Sequence, residues 1–80
     1  MTRMFVVQPF KVGRRNALVA DMPREARSEE DAQRLAQRLA TVREGVVAFY
    51  RDGDVSTGDY EDPVVIAKHG RLPAEIEDAA

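Results

Sequence analysis

These 80 residues contain no cysteine and no tryptophan, and only one histidine. Without cysteine, neither a disulfide framework nor a thiolate metal site can form, and a small extracellular domain ordinarily needs such a staple. The expected compartment is therefore the reducing cytoplasm. The lone His69 excludes the usual zinc sites, because a histidine site takes two or more ligands, and a histidine base needs an orienting partner. His69 reads instead as a polar residue near a strand end. Long apolar runs are also missing: the stretch Met4–Val7 stops at Gln8 and Pro9. That is too short for the apolar region of a signal peptide and far below the roughly 20 residues that cross a bilayer. Phosphate-loop, dinucleotide-binding and nucleophile-elbow patterns do not occur, so neither a cofactor nor a catalytic centre is expected and the chain reads as a non-enzyme. Aromatics amount to three Phe and two Tyr. Phe5, Phe10 and Phe49 read as core residues, and no RNP-like aromatic motif for stacking on RNA bases is found.

What is present is ordinary globular composition, 44% hydrophobic and 32% charged, which supports a packed core. A chain of this length buries only roughly 60–65% of its unfolded surface, so stability is modest. The net charge is −2, unevenly divided. Residues 1–43 hold nine Lys/Arg against five Asp/Glu, net +4, whereas residues 44–80 hold three against nine, net −6. The two segments either neutralise each other within one fold or leave a basic patch or a head-to-tail interface.

Phe and Val in Met4–Phe10 mark a first strand, and Ala17–Ala20 a second. Between them, Gly13 and Asn16 tolerate positive φ and suggest a hairpin connection. Pro9 cannot donate to a ladder, which points to an edge position or a bulge. Ser28 followed by Glu29, Glu30 and Asp31 is a helix start, with a hydroxyl to cap a first-turn amide and acidic residues where the helix dipole favours them. Ala32, Leu35, Ala36, Leu39 and Val42 then recur at helical spacing on one face. The helix is expected over 29–44, with Gly45 as a left-handed cap and Glu30 four residues before Arg34 as a supporting pair. Val46–Arg51 and Val64–Lys68 read as two more strands, separated by the polar stretch 52–62.

The expected fold class is α+β, with order ββαββ, an antiparallel or mixed four-stranded sheet and one amphipathic helix packed on one face. Residues 1–73 form the single domain and 74–80 an acidic C-terminal tail, a short helix or frayed chain. The strand runs are apolar at successive positions, so both sheet faces are hydrophobic. One helix about 10 Å wide covers only part of a sheet roughly 19 Å across. Either a second copy covers the remaining face, giving a homodimer, or the loops and tail fold back over it.

Two charged segments invite a ligand. The acidic loop Asp52–Asp62 has alternating carboxylates but fails the EF-hand spacing, with Thr57 where glycine is required and Pro63 where the bidentate Glu belongs. It reads as a solvated turn, and no metal is expected. Lys11, Arg14 and Arg15 at the hairpin tip, with Arg24 and Arg27 before the helix, are the candidate contacts for phosphate, nucleic acid or another polyanion.

Val7-Gln8-Pro9-Phe10, Ala32 through Leu39, Gly45 to Phe49, Gly58-Asp59-Tyr60 and Pro63-Val64-Val65 together resemble short bacterial single-domain proteins of unknown function, a likeness over about residues 4–73 that implies no activity. The Val-Gln first strand and Ala/Leu-rich helix are also similar to the peptidoglycan-binding SPOR domain. That family has a βαββαβ order and a membrane-anchored context, and the second helix is missing here. The function expected from these features is a non-enzymatic cytoplasmic protein-interaction or accessory module acting as a homodimer, with a protein partner and no membrane. The alternative is a nucleic-acid- or polyanion-associated protein using the basic hairpin.

Overall fold

A computed structural model describes residues 2–77. Along the chain come β1 (Thr2–Val12), β2 (Leu18–Ala20), β3 (Arg24–Ala26), α1 (Glu29–Leu39), β4 (Gly45–Asp54), β5 (Asp59–Tyr60), β6 (Val64–Gly70) and α2 (Ala74–Glu77). The fold is α+β, one curled antiparallel sheet with one main helix packed against it. All pairings are antiparallel, and β1 and β4 lie side by side at the centre, from Thr2↔Gly53 to Phe10↔Gly45.

The sheet has six strands where the sequence suggested four, yet it is four lanes wide. β2 and β3 occupy one lane end to end, pairing with the two halves of β1, while β6 and β5 share the opposite lane beside β4. The break in the first lane explains Pro9. β1 is paired on both sides, so Pro9 is not on an edge strand. Its carbonyl accepts from the Asp21 N–H at 2.9 Å, at the gap between β2 and β3. Since N–H and C=O of one strand residue point the same way, the donor that proline lacks would have faced that gap. The Gln8 amide bridges it by donating to the carbonyls of Pro9 and Asp21 at 2.8 and 2.7 Å.

Ser28 caps α1 as its sequence position indicated, its hydroxyl accepting from the Asp31 N–H at 3.2 Å. The expected Glu30–Arg34 pair does not form as a hydrogen bond. Arg34 bonds Asp31 instead, three residues back, at 2.6 Å. The helix also ends at Leu39 rather than 44. Thr41 and Val42 turn back onto the carbonyls of Arg38 and Leu39, so the chain tightens and reverses into β4, and Val42 is left 64% exposed. Gly45 is not the left-handed cap: it is a buried, extended residue that opens β4. A Cβ there would lie 1.7 Å from the Arg71 carbonyl oxygen, so glycine is required by close approach of the backbone. At the hairpin tip, too, the positive φ values belong to Arg15 (57°) and Asn16 (62°), not to Gly13.

Two hydrophobic clusters lie on opposite sides of the sheet. On one, Ala32, Ala36 and Leu39 of α1 meet Val7, Val46 and Ala48, with Phe5, Leu35 and Ile66 at the margin. On the other, Phe10, Val47 and Leu72 are buried, and Leu18, Phe49, Val65 and Ile76 pack against them. The second face is thus partly covered by the chain's own C-terminal segment, which turns at Gly70 (φ 67°) and lays Leu72 and Ile76 across it. The acidic tail expected from 74 onward begins as the single turn α2; residues 78–80 lie outside the described residues. Among the described residues, no helix is long and apolar enough to cross a membrane.

Both sheet flanks offer only short open stretches to another strand, which limits edge-to-edge growth. One lane is interrupted at Asp21–Pro23. The other carries Lys68 and an irregularity in register opposite Ala48 and Phe49.

Candidate functional site

The five cations singled out in the sequence do not form one patch. Lys11, Arg14 and Arg15 cluster where β1 turns into β2, the two arginines on a 3₁₀ turn with all three side chains exposed. Arg24 pairs with Val7 on β3, five residues back from Val12 along β1 and so roughly 17 Å from the tip at ~3.3 Å per residue. Arg27 follows β3 at the entry to α1. The ion pairs use other residues: Arg3 with Asp52, Arg34 with Asp31, and Arg43 with Asp21. Among the described residues, none of the five candidates makes an ion pair.

The paired groups have structural roles. Arg3 donates to both Asp52 oxygens at 2.8 and 3.0 Å and lies 4.0 Å from the centre of the Tyr50 ring. That hydrogen bond raises the Arg3 pKa and holds the Asp52 carboxyl below its usual range. Asp21 is also lowered, first by the Met22 N–H and then by Arg43, whose guanidinium donates to it at 2.8 Å and ties the break in the outer lane to the turn between α1 and β4.

In the acidic loop, Asp54 accepts from the Ser56 hydroxyl and N–H at 2.6 and 2.9 Å, which lowers its pKa. Asp52 faces Arg3. Two of the loop's carboxylates, Asp52 and Asp54, are thus engaged locally, and among the described residues there is no group of three or more His, Asp or Glu that could hold a metal. His69 sits in β6 opposite Val46.

The described residues also form two concave surfaces that had no direct sign in the sequence. The first, about 740 Å³, runs between the exposed edge of β3 and the flank of α1. Its floor includes Ala26 and Leu35, and Arg27, Arg34 and Arg38 rise around it. Arg34 and Arg38 were legible only as residues off the apolar helix face. The second, about 350 Å³, lies on the tail-covered face, between Phe49, Pro63 and Val65 on one side and Ile76 of α2 on the other. Its lining is largely apolar, with Gln8 and Glu75 as the polar members. Apolar strand positions at successive residues were the only signal for it.

Comparison with known proteins finds no match: no family model, no curated protein and no solved structure is similar enough to report. The reading of function therefore rests on these surfaces.

Proposed function

We propose that this chain is a small, non-enzymatic interaction module of the cytoplasm that acts as a homodimer, two copies meeting through the tail-covered sheet face. The observation that carries this reading is area. The chain exposes 5584 Å², whereas a folded monomer of 8.9 kDa is expected to expose about 4,800 Å². The excess, on the order of 800 Å², goes with an elongated shape, 40 × 23 × 22 Å, and is comparable in size to one partner's share of a standard protein–protein interface. A Cα radius of gyration of 12.9 Å against about 11.6 Å for a compact 80-residue domain agrees with it.

The chemistry of the face fits such use. Met4, Val6, Phe49 and Val65 are only half-buried, and the α2 segment covers one end of the sheet and leaves the other open. Because the edge strands are short or irregular, association of two copies face to face is favoured over extended edge-to-edge growth.

Light scattering over a dilution series, at low and high salt, tests this. A dimer at both salts is expected, since apolar burial is insensitive to screening, and Met4→Lys is expected to weaken it about tenfold or more by placing a charge in the interface. A monomer at every concentration overturns the reading.

A further inference from the structure

We infer that the groove between β3 and α1 is a docking site for an acidic, extended polypeptide segment of a partner protein. It lies on the helix-bearing side of the molecule, away from the sheet face assigned to the dimer, so either can fail without the other.

Three features meet in this groove. The first is charge. Arg27 and Arg38 make no ion pair among the described residues, and Arg34 is held by Asp31 with its guanidinium still largely exposed, its side chain at 68%. Arg24, two residues before Ala26 and therefore on the same sheet face, adds a fourth cation beside the groove. The carboxylates here are Glu25 and the already engaged Asp31.

The second is shape. The helix and the turn after it contribute residues from Asp31 to Thr41, a length of roughly 15 Å at ~1.5 Å per residue. About five residues of extended chain, at ~3.3 Å each, fill that length. The half-buried Leu35 and Ala26 give one or two apolar side chains a place to rest between the arginines.

The third is the backbone. β3 pairs only with β1. Because the Pro9 carbonyl points into this lane, alternation along β1 directs Val7 and Phe5 toward Arg24 and Ala26. The N–H and C=O of Glu25, midway between them, then point away from β1 and are open to an added chain, the mode by which extended peptides join sheet edges.

These features favour polypeptide over nucleic acid. No aromatic ring lines the groove for a base to stack on, as single-stranded nucleic acid sites ordinarily provide. In an extended segment with every second residue acidic, the acidic side chains share one face and can all meet the arginines.

The probe is an acetylated hexapeptide alternating glutamate and leucine, followed by fluorescence polarisation with the full-length protein. Binding is expected at low ionic strength and is expected to weaken with added salt. Arg27→Glu with Arg38→Glu is expected to weaken it about tenfold or more, whereas Arg14→Ala with Arg15→Ala, at the distant tip, leaves it unchanged. Both arginines of the reversal are exposed, and a circular dichroism melt checks that the variant folds. Should it not, Arg27→Gln with Arg38→Gln replaces it, and amide shifts on peptide addition are expected at residues 25–27 and 34–41. No binding, binding indifferent to these substitutions, or competition by single-stranded DNA at equal or lower concentration would overturn the inference, the last by marking a polyanion site.

Discussion

The two sides of the sheet use different means to exclude water. Under α1, small residues let helix and sheet approach closely: Ala32, Ala36 and Ala48 are fully buried beside Val7 and Val46. Under the C-terminal segment, large side chains do the work. Phe10, Val47 and Leu72 are buried to within a few per cent, but Phe49, Val65 and Ile76 remain partly open. An eleven-residue helix with a cap and a continuous apolar face closes one layer. A four-residue turn, held by Leu72, Ile76 and the Lys68 ammonium donating to the Glu77 carbonyl at 3.0 Å, only straps the other. Closure depends on how much ordered backbone stands behind the covering side chains, not on hydrophobicity alone.

Substitutions that overfill each layer sharpen this contrast. Ala36→Leu has no room under α1 and is expected to cost about 3 kcal/mol, read as a lowered urea midpoint. Gly45→Ala drives a methyl group into the Arg71 carbonyl, but the C-terminal segment can lift. The expected cost is smaller, about 2 kcal/mol, and accompanied by stronger self-association in light scattering as Val47 and Phe49 are uncovered. Equal costs with no change in association would break the distinction between layer and strap.

The smallest effect concerns pH. Asp21, Asp52 and Asp54 all have lowered pKa values in the folded chain, so their contribution is complete above the ordinary carboxylate pKa of about 4 and is lost as pH falls through the lower folded values. Urea midpoints measured from pH 6 to pH 2 are expected to fall in that acid window. Asp52→Asn, which removes the bidentate partner of Arg3, is expected to flatten part of the fall.

The parts of the fold that were legible in the sequence are those with a periodic or capping signal. Ser28 announced α1, apolar runs announced β1, β4 and β6, and Gly13–Asn16 announced the hairpin. β3 and β5 were missed because Arg24-Glu25-Ala26 and Asp59-Tyr60 are too short and too polar to alternate; they are strands only because β1 and β4 present open edges to them. The helix end was misplaced because glycine after an amphipathic run usually signals a left-handed cap, while Gly45 answers to the crossing of residue 71. The cations of the candidate site were visible, but their grouping was not. Arg27 and Arg38 stand eleven positions apart in sequence and share a groove only through the packing of α1 beside β3, whereas Arg14 and Arg24, at almost the same spacing of ten positions, are separated along a strand.

The pairing of β1 with β4 also sets a schedule for the nascent chain. Val12 is synthesised 42 residues before Asp54, an interval of roughly 2–8 seconds at about 5–20 residues per second. Throughout it the first strand lacks its central neighbour and has only the two short strands of its outer lane to occupy one edge. Two strands of three residues each are too little sheet to be stable alone, so the first strand gains a lasting place only when the residues that complete the sheet leave the ribosome.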